Sequence, residues 1–132
     1  MKGLDTNVLV RYLVRDDRKQ AEKTSAYIQK AVVSGKRCYI NHVVLCELVW
    51  VLESAYKYSK KEIADVLDQI LVTKQFEIDS KDLVSQSVHD YRNGRGDLSD
   101  YLLGRVNRSK GCDATVTFDL ALRTSRYFAL LV

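Results

Sequence analysis

Apolar side chains recur three and four positions apart at Ile63, Val66, Leu67, Ile70 and Leu71. That spacing places them on one stripe of an amphipathic helix. Ser59 opens the segment with Glu62 three residues later, the signature of a capping box. Other stretches punctuate in the same way. Lys2 to Asp5 reads as a short strand, and Thr6 to Leu13 as a short helix with Thr6 as its N-cap. A second helix starts at Asp16-Asp17 and runs to about Val33, where Ser34-Gly35 ends it. Arg37 to Ile40 is a strand, Val43 to Tyr56 an apolar helix, and Phe76 to Ile78 a third strand. Ser80 to Tyr91 reads as a helix, Arg92 to Gly96 as a flexible basic loop, and Asp97 to Arg108 as another helix. Ala114 to Phe118 is β-rich, Leu120 to Ser125 a short helix and Phe128 to Val132 a last strand.

The alternation of strands and helices predicts an α/β fold: a central parallel sheet of four to five strands with helices on both faces. With 132 residues, no proline and no stretch that reads as a linker, the expectation is one domain over residues 1–132. Ligands of such sheets bind beyond the carboxyl ends of the strands. Asp5 and Asp119 fall at those ends.

Composition narrows the function classes. The apolar run from Val43 to Leu52 is too short to span a membrane and is broken by Glu47. The N-terminus lacks the apolar stretch of a signal peptide, so the expectation is a cytoplasmic protein. The three cysteines, Cys38, Cys46 and Cys112, form no CxxC pair, which argues against a disulfide framework or a structural zinc site. His42 and His89 are isolated and read as structural or surface residues. There is no P-loop and no GxGxxG. The net charge is only +4. Yet placing four of the 17 acids in one pocket leaves 13 elsewhere to face 21 bases. Such a surface favours a polyanion, and nucleic acid is the commonest one.

Four acids carry the candidate chemistry: Asp5, Glu47, Asp100 and Asp119. Taken singly each has a bland reading. Asp5 serves equally as a turn former, and Asp119 as a cap for the helix that follows it. Asp97 suits an N-cap and Asp100 a first turn, where the helix dipole favours acids without any function. Glu47 is the sharpest of the four, because nine of the ten residues from Val43 to Leu52 are apolar. A helix buried over most of its circumference would impose a large desolvation cost on that carboxylate unless it is paired or bound to metal, but a surface-facing glutamate on one open edge of the helix, or a salt bridge to an arginine, explains it equally well. As a set, the acids recur where the expected topology converges. Mg²⁺ and Mn²⁺ prefer such hard oxygen ligands, and carboxylate-held ions activate water and polarise phosphodiesters. Thr6 and Asn7 would orient Asp5, while Arg92 and Arg95 would hold a substrate phosphate. A phosphatase with Asp5 as nucleophile fits poorly, because position 7 is Asn rather than a second acid.

Gly3-Leu4-Asp5-Thr6-Asn7-Val8-Leu9-Val10, Glu47 in its apolar helix, Asp97-Leu98-Ser99-Asp100-Tyr101-Leu102-Leu103 and Thr117-Phe118-Asp119 occur in this order along the chain. In these motifs the chain resembles the PIN-domain ribonucleases, and among them the VapC-type toxins of toxin–antitoxin pairs. The resemblance implies a PIN-like fold and an Mg²⁺- or Mn²⁺-dependent endoribonuclease that cuts structured RNA, such as tRNA or ribosomal RNA, to stop translation. It implies that Asp5 and Asp100 bind the metal, that Glu47 binds it or orients its water, and that Asp119 completes the site. Thr117 and Asn7 would support these ligands, and Asp97 matches a frequently acidic position of open role. The implied partners are RNA, a small cognate antitoxin, a second copy of the chain in a homodimer, and operator DNA in a complex with the antitoxin. The same resemblance admits a second reading, a regulatory partner in a DNA-bound complex with little cleavage of its own.

Overall fold

The computed structural model describes Met1–Leu131, so the end of the expected last strand, Val132, lies outside the described residues. The chain forms two compact units, Met1–Lys81 and Asp82–Val132.

In the first unit the order is β1 (Lys2–Gly3), α1 (Thr6–Val14), α2 (Arg18–Val33), β2 (Cys38–Ile40), α3 (His42–Ser54), α4 (Lys60–Val72) and β3 (Phe76–Ile78). The three strands form a parallel sheet in the order β1-β2-β3, with Lys2 opposite Cys38 and Tyr39 opposite Glu77. Parallel neighbours need a crossover connection, and the helices supply it. Each helix begins where a polar side chain takes up an orphan backbone N–H. Asp17 accepts from the Gln20 N–H at 3.0 Å, and Asn41 from that of Val44 at 3.0 Å. Ser59 and Glu62 close the capping box anticipated from their spacing, at 2.9 and 3.1 Å. Past the end of α2, Gly35 adopts a positive φ of 70°, a conformation that carries no steric cost without a Cβ. Leu9, Ile40, Leu45, Leu48, Leu52, Ile63, Leu67, Ile70 and Phe76 are buried. They include most of the helical stripe that begins at Ile63.

The second unit contains α5 (Lys81–Asn93, beginning at the last residue of the first unit), α6 (Leu98–Ser109), β4 (Thr115–Thr117), a 3-10 helix (Leu120–Leu122) and β5 (Phe128–Leu130). Strands β4 and β5 pair in parallel, Thr115 opposite Phe128 and Thr117 opposite Leu130. Val84, Val88, Tyr91, Leu98, Leu102 and Leu122 are buried.

Three expectations are corrected. A single sheet of four to five strands was expected, but the central sheet has three, and β4 and β5 form a separate pair. The β4 backbone finds its hydrogen-bonding partners in β5, a choice that strand propensity does not encode. Arg92 belongs to the last turn of α5, so the loop is shorter than expected, from Gly94 to Gly96. Finally, α5 begins at Lys81, because Ser80 has a positive φ of 47°, outside the right-handed helical region.

Candidate functional site

The candidate acids fall into two groups, Asp5 and Glu47 in the first unit and Asp97, Asp100 and Asp119 in the second.

In the first group, Asp5 follows β1 with extended backbone (φ −77°, ψ 156°) and is itself the N-cap of α1. Its Oδ1 accepts from the Thr6 N–H at 2.8 Å. Thr6, expected as the cap, is the first helical residue instead and is buried at 7% exposure. Its hydroxyl donates to Glu47 Oε1 at 2.8 Å. Thr6 therefore links the end of β1 to α3: its backbone fixes Asp5 and its side chain fixes Glu47. Each of these carboxylates spends one oxygen on Thr6, and the other accepts no hydrogen bond among the described residues. Asn7 is exposed and its side chain makes no hydrogen bond among them.

Of the two readings open for Glu47, the surface-facing one is observed, for the residue is exposed. Val43 at 64% and Trp50 at 52% exposure lie four residues before it and three after it. These intervals trace one open stripe along α3. The apolar residues that bury the helix are Val44, Leu45, Leu48, Val49 and Leu52. Glu47 thus needs no metal to explain its presence, and desolvation gives it no special status.

In the second group, Asp97 caps α6 and Asp100 stands in the first turn. Asp100 Oδ2 accepts from the Asp97 N–H at 3.0 Å. The Asp100 carboxyl is held above its ordinary value, first by burial and then by the negative charges of Asp97 and Asp119, against the lowering effect of that hydrogen bond. Asp119 follows β4 and caps the 3-10 helix, its Oδ1 accepting from the Ala121 N–H at 2.9 Å. The Thr117 hydroxyl accepts from the Asp119 N–H at 3.1 Å and so fixes the backbone that carries this acid. Ahead of these acids, the buried Gly96 donates its N–H to the Tyr101 hydroxyl at 2.9 Å. Arg95 is exposed, and Arg92 is half-buried.

Among the described residues no group of three or more His, Cys, Asp or Glu side chains is assembled to hold a metal ion. The donors nevertheless suit a hard divalent cation in kind: all are carboxylates, and Asp5, Glu47, Asp100 and Asp119 each keep one oxygen that accepts no hydrogen bond among the described residues. The raised Asp100 carboxyl is the feature a nearby cation would relieve. The role of Thr6 as a bridge to Glu47 was not legible in the sequence, where 41 positions separate the pair.

A model of the PIN domain matches residues 3–124, which include all five acids. The chain belongs to the PIN-domain family. It is similar to a VapC ribonuclease of Aquifex aeolicus (strain VF5), with 27% identity over 118 residues, covering 89% of this chain and 87% of that protein. The resemblance to VapC-type proteins read from the motifs therefore extends over most of both chains. Among the described residues no helix is long and apolar enough to cross a membrane.

Proposed function

We propose that this protein is a metal-dependent endoribonuclease, the toxin of a toxin–antitoxin pair, which cleaves structured RNA such as tRNA or ribosomal RNA and thereby stops translation. The observation that carries the reading is the PIN-domain match across residues 3–124, together with likeness over nearly the whole chain to a protein named as a VapC ribonuclease. The carboxylate chemistry of the two acidic groups supports it.

In this reading Asp5, Glu47, Asp100 and Asp119 hold Mg²⁺ or Mn²⁺, with Asp97 as a further candidate ligand. When bound, the cation supplies a water of lowered pKa and polarises the scissile phosphate. The chain's own residues do the rest. Thr6 holds Glu47 Oε1 by one hydrogen bond and Asp5 Oδ1 by another, which keeps their remaining oxygens available to a ligand. Thr117 steadies the backbone of Asp119. Burial, and after it the charges of Asp97 and Asp119, hold the Asp100 carboxyl above its ordinary value. Cation binding and proton release at Asp100 are therefore coupled. Arg95, exposed two residues before Asp97, and Arg92 in the last turn of α5 would meet a substrate phosphate. The partners of the reading are RNA, a small antitoxin, a second copy of the chain, and operator DNA reached through the antitoxin.

The test is cleavage of total RNA by the purified chain with Mg²⁺, with Mn²⁺ and with chelator, followed by mapping of the new RNA ends. The expected result is metal-dependent cleavage at few positions, reduced by about 100-fold or more in Asp5→Asn and Asp100→Asn. Equal cleavage by wild type and both variants would overturn the assignment.

A further inference from the structure

The second unit carries cations of an unusual kind. Six of its seven basic residues are arginine, whereas lysine outnumbers arginine ten to four in the first unit. Arginine's planar fork matches phosphate and stacks on aromatic rings, which lysine does neither of as well. Three of these arginines surround one ring. The guanidinium carbons of Arg105, Arg126 and Arg108 lie 4.6, 5.1 and 5.6 Å from the centre of Tyr127.

Only one of the three is neutralised. Arg105 meets Asp90 through Nε at 2.7 Å and through a second nitrogen at 3.2 Å, and it also donates to Gln86 at 2.7 Å. Arg108 donates to the Asp113 carbonyl at 2.9 Å, and Arg126 to the Tyr127 hydroxyl at 3.0 Å. Neither has a carboxylate partner among the described residues. Like charges so close together repel, and the ring offsets only part of that repulsion. An anion would complete the cluster.

There is room for one. Arg105, Arg126 and Tyr127 line a cavity of about 290 Å³ together with Asp90, His89, Asn93 and Thr124; Asp90 is spent on Arg105, which leaves Arg126 as the cavity's unneutralised cation among the described residues. Asn93 and Thr124 also line a neighbouring cavity of about 230 Å³, whose cations are Arg95 and Arg123. Arg123 is fixed by its bond to the Leu120 carbonyl at 2.8 Å. Arg95 stands two residues before Asp97, and Arg123 four after Asp119. The basic surface therefore runs from the Tyr127 cluster to the segments that carry this unit's acids.

We propose that Arg108, Arg126 and Tyr127, continued by Arg123 and Arg95, form a track that binds the phosphodiester backbone of RNA. One end of it lies at Tyr127. The track extends the ribonuclease reading and rests on it for the choice of RNA as the polyanion. Exposed arginines meet the phosphates, and the Tyr127 ring holds them in place.

The test is binding of a fluorescein-labelled single-stranded RNA of about 16 nucleotides to the full chain in chelator, read by polarisation across a salt series. Arg108→Ala/Arg126→Ala is compared with Lys19→Ala/Lys23→Ala, which removes the same charge from exposed positions of α2. The expected result is a loss of three- to tenfold in affinity for the arginine pair only, with the salt slope lower by about 1.4. Tyr127→Leu should lose affinity as well and Tyr127→Phe should keep it, with circular dichroism checking that both fold. Equal losses in the arginine and lysine pairs, or no loss in either, would overturn the track. Labelled polyglutamate is measured in the same way, and a loss of its binding with RNA binding intact would also overturn the track, assigning the surface to an acidic protein. Cleavage is scored separately. Wild-type RNA affinity in the arginine pair beside inactivity of Asp100→Asn sinks the track alone. Weakened RNA binding without cleavage by any form of the chain sinks the nuclease alone.

Discussion

The Thr6 hydroxyl donates to Glu47 Oε1 across 2.8 Å, tying the first turn of α1 to the middle of α3. The same residue's N–H holds Asp5 Oδ1. One threonine therefore sets the orientation of two candidate metal ligands, and it does so from a buried position where its rotamer is constrained by packing.

Thr6→Val keeps the shape and removes the donor. It is expected to cost about 1 kcal/mol of stability and to reduce cleavage by roughly tenfold, because Glu47 loses its tether. Thr6→Ser, which retains the hydroxyl, should restore most of the activity. Urea unfolding and initial cleavage rates of the two variants check this, and equal rates in both would remove Thr6 from the positioning role.

Glu47→Gln separates charge from fold. Because Glu47 is exposed, the substitution should change stability by no more than about 0.5 kcal/mol, while cleavage falls by about 100-fold. A large loss of stability would mean that the carboxylate is held by more than Thr6.

Asp100 gives a prediction about pH in the metal-free protein. Burial, then the charges of Asp97 and Asp119, raise its folded-state pKa above the unfolded value. The folded state therefore binds this proton more tightly. Its contribution to stability is full below the ordinary carboxylate value and is lost as pH rises through the raised one. Near neutral pH the ionised group is a cost. Asp100→Asn should accordingly raise Tm at pH 7 in chelator and leave it nearly unchanged well below the carboxylate range. Mg²⁺ or Mn²⁺ should raise the Tm of wild type more than that of the variant. Differential scanning fluorimetry over pH, with and without metal, measures both effects, and a lower Tm for the variant at pH 7 would contradict the sign.

Gly96 precedes the acids of α6 at a point of close packing. A Cβ there would lie 2.7 Å from Leu122 Cδ2 and 3.2 Å from the Tyr101 ring, and Leu122 is buried with little room to move. Gly96→Ala should cost about 1–3 kcal/mol and, by displacing the start of α6, reduce cleavage as well. Wild-type stability by urea unfolding would show that the loop absorbs the methyl.

The sequence by itself determined what local chemistry controls. Periodicity located the stripe of α4, and Ser59 with Glu62 located its capping box, because both depend on residues within a turn or two of one another. Ordered motifs around Asp5, Glu47, Asp97, Asp100 and Asp119 marked the PIN family before any coordinate was known. The tertiary structure alone decided matters that depend on which distant segments meet. It exposed Glu47, because the buried side of α3 is set by what packs on Leu45, Leu48 and Leu52 rather than by how many apolar residues surround the glutamate. It paired β4 with β5 instead of adding both to the central sheet, because backbone hydrogen bonds carry no residue identity. It joined Thr6 to Glu47 and brought Arg105 and Arg108 of α6 to Tyr127, contacts made by folding between residues that pattern alone does not connect.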